Sequence, residues 1–172
     1  MPPIALDTLN ALDCAAFTAA LGGIFEHSPW VAKAAYVARP FGSIAALHAT
    51  MVSVVMNAGA ERQLTLLRAH PELASRAALT EASTAEQGGM GLDRLAADEA
   101  ATFAALNGKY RARFGFPFII AVRGQRDRAA ILAALSSRCR HDPELEIRTS
   151  LTEVAKIARF RLDDLIGPRA DV

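Results

Sequence analysis

Three polar side chains have types that suit proton transfer and anion binding, and helical spacing turns two of them, His70 and Arg161, toward apolar neighbours. His70 follows Leu66 and Leu67 by four and three residues, which sets it on the apolar side of the helix that precedes it. Pro71 disfavours helical geometry in the residue before it, so His70 marks the C-terminal end of that helix. Carbonyl dipoles there favour the protonated ring, and an imidazole is the side chain best suited to give and take a proton near neutral pH. The same position also suits a histidine that merely caps the last carbonyls, and spacing leaves both readings open.

Ser83-Thr84-Ala85-Glu86 forms a capping box, in which Ser83 caps a helix start and Glu86 reaches back to it. A capped helix start also offers free backbone donors to an anion, and Gln87-Gly88-Gly89 would let a ligand approach the main chain. Arg161 falls on the inward stripe of the last helix, traced by Leu151, Val154, Ala158, Leu162 and Leu165. A charge facing the core needs a partner. Either an internal ion pair, for instance with Glu153 or Asp164, or an anionic ligand would supply one. Arg159 is displaced round that helix and reads as a surface charge. His48 reads as a core or boundary residue, and His27 and His141 as solvated side chains in connections.

The elements that must carry these residues read as helices. Alanine is abundant and β-branched and aromatic residues are few, a composition that favours helix over strand. A first helix is expected over residues 6–21, ending at Gly22-Gly23. Ser28-Pro29 starts a second, with Ser28 as its cap. Ile44, Leu47, Met51, Val54 and Val55 share one face of a third, which Asn57-Ala58-Gly59 terminates. A fourth covers residues 60–69. Residues 97–114 form another in spite of Asn107-Gly108 inside it. Residues 114–122 are broken by Gly115 and Pro117, and they read as an extended, buried connector rather than a helix or strand. Asp127 caps a helix over residues 128–138, and Asp142-Pro143-Glu144 starts the last, which runs to about residue 166. The expectation is an all-α fold of about eight helices in a single domain over residues 1–172, with a frayed tail after residue 168.

Composition narrows the function classes. Hydrophobic residues make up 52% of the 172 and charged residues 22%, the balance of an ordinary globular chain. A net charge of +1 gives no electrostatic footprint for nucleic acid or an anionic membrane. Residues 41–60 carry no formal charge over a membrane-spanning length, but their Ser43, His48, Thr50, Ser53 and Asn57 favour a buried helix. No signal peptide is visible at the start, and Arg-Ala-Asp-Val at the end is not a peroxisomal signal, so cytoplasm is expected. Cys14 and Cys139 belong to no metal or redox spacing and read as reduced, buried thiols. Phosphate loops, HExxH, nucleophile elbows and dinucleotide fingerprints are absent, and no spaced ligand set supports a metal.

The motifs, taken together, resemble one family. Phe25-Glu-His-Ser-Pro-Trp30, Arg39-Pro-Phe41, Ala69-His-Pro-Glu-Leu73, Leu79-Thr80, Ser83-x-x-Glu86-Gln87, Gly91-Leu92, Tyr110-x-x-Arg113-Phe-Gly-Phe-Pro-Phe-Ile119 and Glu153-Val-x-Lys-Ile-Ala-x-x-Arg161-Leu162 run in order over about residues 20–166. The set is similar to that of the 2-oxo-4-hydroxy-4-carboxy-5-ureidoimidazoline (OHCU) decarboxylases, which make (S)-allantoin in urate breakdown. The resemblance implies an all-helical fold, commonly dimeric, using neither metal nor organic cofactor and acting on a small ureidoimidazoline. It implies catalytic roles for His70, Glu86 and Arg161. It also implies a substrate pocket lined by Pro71, Ser83, Gln87 and the segment Phe118, Ile119, Ile120, Ala121 and Val122. The chain departs from the family pattern at Glu72, where Asp is commoner, in a shorter stretch between His70 and Ser83, and at Gly88-Gly89-Met90. Other readings of the same residues are an acid–base enzyme for a related ureide and a non-catalytic helical binding protein.

Overall fold

The computed structural model describes residues 3–74, 84, 88, 91–92 and 95–166. Among these residues the chain forms eight α-helices and no strand: α1 (Leu6–Ala11), α2 (Cys14–Leu21), α3 (Pro29–Ala35), α4 (Ile44–Met56), α5 (Ala60–Ala69), α6 (Ala97–Phe114), α7 (Arg128–Arg138) and α8 (Pro143–Leu165). A 3-10 turn, Tyr36–Ala38, follows α3. The fold is all-α, as the composition predicts. The chain divides into two compact units, Met1–Leu66 with Ala158–Val172, and Leu67–Ile157.

The first unit differs from expectation at its start. The helix expected over residues 6–21 is two helices, because Leu12 turns extended and the Asp13 carboxylate accepts the Ala16 N–H at 2.8 Å. An aspartate that can bond its own downstream backbone competes with helix continuation and begins a new one. Ser28 does stand at the start of α3 with Pro29 after it, but its side chain makes no capping bond. Ser43 performs that function for α4, accepting the Ala46 N–H at 3.1 Å. On α4 the buried face is Leu47, Met51 and Val55, with Ile44 and Val54 at its margin and His48 half-buried beside it. Phe17, Phe25, Val31, Phe41 and Leu162 are also buried in this unit. Arg39 ties it together, donating to the Asn10 and Leu12 carbonyls at 2.6 and 2.7 Å, while Asn10 exchanges two hydrogen bonds with the Phe41 backbone. Those bonds give the Arg39-Pro-Phe41 motif a structural role. Near the unit's end, Ile4 donates to the Leu165 carbonyl at 2.9 Å.

The second unit is built round Tyr110, Phe103, Phe116, Phe118, Ile131, Leu135, Leu151 and Val154, all buried. Helix α6 runs unbroken through Asn107-Gly108 and stops at Gly115, whose φ of 75° is the left-handed conformation that glycine adopts without Cβ strain. Tyr110 packs against Phe114 and Phe118 at centroid distances of 4.7 and 5.4 Å. The connector after it is buried from Phe116 to Val122 and belongs to neither helix nor strand. Asp127 caps α7 through the Ala130 N–H at 2.8 Å, and Asp142 caps α8 through the Leu145 N–H at 2.9 Å. Both carboxyls are held below the usual carboxylate range, chiefly by those backbone hydrogen bonds.

Candidate active site

Helix α5 ends at Ala69, and His70 follows with its N–H on the Leu67 carbonyl at 3.3 Å. Pro71 prevents a further helical turn. His70 is 8% exposed, and Leu66 and Leu67 are fully buried, so the histidine does share their apolar side. Helix α6 holds the turn that follows. Asn107 donates to the Leu73 carbonyl at 2.8 Å, and Arg111, one helical turn on, pairs with Glu72 at 3.7 Å. The Asn107 that weakens the helix pattern in sequence thus fastens the His-Pro-Glu-Leu turn. A buried imidazole at a helix C-terminus, fixed in place from one side, is an arrangement suited to proton transfer.

Arg161 is 8% exposed on α8, among the buried Ala158 and Leu162. It pairs with Glu26 at 2.9 Å and donates to the Gly23 carbonyl at 3.3 Å. Glu26 is itself 2% exposed, so the pair is a buried one. Glu26 is not among the partners expected for Arg161. Its signal in the sequence is a lone acid between Phe25 and the His27-Ser28-Pro29 helix start, inside an otherwise apolar run. Glu153, one of the expected partners, instead binds Lys156 at 2.6 Å. Glutamate on one edge fixes the plane of the guanidinium, the condition for directional recognition of a carboxylate or carbonyl oxygen.

The segment 118–122 is held through its backbone. The Glu153 carboxylate accepts the Ala121 N–H at 2.8 Å, and Arg138 donates to the Ile119 carbonyl at 2.8 Å. Arg138 is buried and pairs with the fully buried Glu146 at 2.5 Å. Tyr110 donates its hydroxyl to Glu146, and burial and that carboxylate push its pKa far above the ordinary phenol value. His141 meets Glu146 at 2.7 Å, contrary to its expected place as a solvated loop histidine. A buried acid draws a nearby histidine toward it, which sequence spacing across a turn does not reveal. His27 is exposed, as expected.

Ser83, Glu86 and Gln87 lie outside the described residues. Among those described, no three His, Cys, Asp or Glu side chains group as metal ligands, and no single helix is long and apolar enough to cross a membrane. Both cysteines are free, Cys139 buried and Cys14 half-buried rather than buried as expected. An open groove by α3 and α4 is lined by Ala34, Val37, Ala49, Ser53, Val54 and Asn57 among others, and it contains no titratable side chain.

The family model for OHCU decarboxylase matches residues 10–163. A 2-oxo-4-hydroxy-4-carboxy-5-ureidoimidazoline decarboxylase of Haloferax volcanii is 46% identical over 162 residues, spanning 94% of this chain and 96% of that one. The uric acid degradation bifunctional protein PucL of Bacillus subtilis is 40% identical over 96% of this chain, which corresponds to 33% of its own length. The crystal structure of (S)-allantoin synthase superposes with a TM-score of 0.78 at 35% identity, over 95% of this chain and 54% of that one. The match runs through both compact units and through the buried histidine and arginine alike: the chain belongs to the OHCU decarboxylase family.

Proposed function

We propose that the protein decarboxylates OHCU to (S)-allantoin in urate degradation, with His70, Glu86 and Arg161 as its catalytic set and residues 1–172 acting as one catalytic domain. The observation that carries the assignment of His70 is its burial at the end of α5, on a turn that α6 fastens at two points. In the substrate, the carboxylate and a hydroxyl share one ring carbon beside a C=N bond. When the C–C bond to the carboxylate breaks, carbon dioxide leaves, its electron pair forms a C=C bond, and the C=N electrons pass to the ring nitrogen, which takes up a proton. The substrate therefore carries its own electron sink. The enol that results loses its hydroxyl proton and gains a proton on carbon from one face, which calls for a positioned acid–base group. His70 handles that proton traffic, Glu86 orients the ring and raises its proton affinity, and Arg161 stabilises charge developing on oxygen.

Pro71, Ser83, Gln87 and the segment 118–122 line the pocket in this reading. Support for Glu86, Ser83 and Gln87 is the match of their positions to the family motif. In this reading the protein works in the cytoplasm and, as the resemblance implies, as a homodimer. Light scattering on the eluting protein should give twice the 18.3 kDa chain mass.

Circular dichroism on OHCU generated in situ from urate tests the reaction. Wild type should produce optically active allantoin faster than the spontaneous decay, and His70→Asn should be slower by about 10²–10⁴-fold. Racemic product at the spontaneous rate from folded wild type would sink the decarboxylase reading. A folded His70→Asn with wild-type turnover would remove His70 from it.

A further inference from the structure

Glu153 and Lys156 belong to the motif that ends at Arg161-Leu162, yet the proposed catalytic set leaves them without a task. Two charged side chains reach the connector from behind. Glu153 takes the N–H of Ala121 at 2.8 Å, and Arg138 gives a hydrogen bond to the carbonyl of Ile119 at 2.8 Å. Both contacts are buried, and they bracket Ile120. Arg138 is immobilised by Glu146 and Ser150, at 2.5 and 3.0 Å, and its guanidinium lies 4.6 Å from the Phe118 ring centroid. Glu153 also pairs with the exposed Lys156 at 2.6 Å, a contact open to water and separate from the Ala121 anchor. A buried segment without a helix or strand ladder has few other main-chain bonds to keep it in register. Burying a carboxylate is costly, and here the cost is offset by a hydrogen bond that orders the main chain.

We infer that Glu153 is a positioning residue for the decarboxylation, setting the pocket segment 118–122 through the Ala121 N–H, with Arg138 fixing the same segment at Ile119. This rests on the reading that residues 118–122 line the substrate pocket. The side chain acts by reach and by accepting a hydrogen bond, not by charge at the reacting atoms.

Two substitutions separate reach from charge. Glu153→Gln keeps the length and an oxygen acceptor but loses the charge, and Glu153→Asp keeps the charge but shortens the side chain by one methylene. Each is compared with wild type for kcat and KM on OHCU, and for hydrogen exchange of the peptide covering residues 116–125. The glutamine variant should retain kcat/KM within about threefold, while the aspartate variant loses about tenfold to a hundredfold and its peptide exchanges faster. Lys156→Ala, which removes the ion pair and leaves the anchor, should behave as wild type. The reverse ranking, with Asp active and Gln impaired, would overturn the inference in favour of a charge effect. Unchanged exchange and unchanged kinetics in the aspartate variant would show that the anchor does not set the segment. Faster exchange with unchanged kcat/KM would show that the segment is anchored by Glu153 but lies away from the substrate, so the pocket reading would fail and the inference with it.

Discussion

Each of the two units buries an arginine against a glutamate, and the two pairs have different surroundings. In the first unit Arg161 is 8% exposed and faces Glu26, with the Gly23 carbonyl as a longer second contact. In the second, Arg138 is 7% exposed and faces Glu146, but it also binds Ser150 and the Ile119 carbonyl, and Glu146 is shared with Tyr110 and His141. By burial alone the two arginines are indistinguishable. By their surroundings they differ: Arg138 grips the Ile119 carbonyl and shares Glu146 with a phenol and an imidazole, whereas Arg161 is the one we propose to act in catalysis. A buried charge marks a constraint; its partners say whether the constraint is architecture or chemistry.

The contrast can be broken most sharply at Arg161. Arg161→Lys keeps the charge and the Glu26 pair but loses the planar fork, so kcat/KM should fall by about a hundredfold or more while the melting temperature changes little. Wild-type turnover in that variant would make Arg161 the architectural one. Next in size, Arg138→Met removes the fixed charge opposite the buried Glu146 carboxylate, leaving it Tyr110, Ser150 and His141, and urea unfolding should show a loss of about 3 kcal/mol. A smaller loss than that of Arg161→Lys would erase the distinction.

A subtler contrast concerns pH. The Tyr110 phenol has a folded-state pKa raised first by burial and then by Glu146. The stability it contributes is complete below the ordinary phenol pKa of about 10 and declines as pH rises beyond it. Alkaline titration should therefore show no Tyr110 phenolate until the chain unfolds, and Tyr110→Phe should remove that step. The smallest effect is on thiols. Burial pushes the Cys139 thiol up, so in native protein an aromatic disulfide reagent should modify the half-buried Cys14 first and Cys139 only on denaturation. Equal rates would mean that Cys139 is as accessible in the native protein as Cys14.

Local signals carry most of the helix boundaries. Pro71, Gly115, Asp127 and Asp142-Pro143 act within a turn of themselves, and the elements start or stop where those residues dictate. Asp13 acts just as locally but lies in an alanine-rich run that looks continuous, and the run hides the break between α1 and α2. Of the site, the inward setting of His70 and Arg161 follows from spacing, because a helix converts sequence separation into direction. Partner identity does not follow. Glu26 is 135 residues from Arg161, and Ile119 is 19 from Arg138, and no periodicity links such pairs. The roles of Asn107 and Glu153 are hidden for the same reason: each binds a backbone atom, and backbone atoms leave no letter in the sequence.

That last feature bears on how the protein could change over time. Because Arg138 and Glu153 grip Ile119 and Ala121 by carbonyl and amide, the grip is indifferent to which side chains those positions carry. Ile119, Ile120 and Val122 can be exchanged for other apolar residues without unfastening the frame, whereas Phe118 is tied to the Arg138 guanidinium by its ring. Selection, or a designer, thus has a buried strip whose side chains can be redrawn three residues at a time on a mount that stays put.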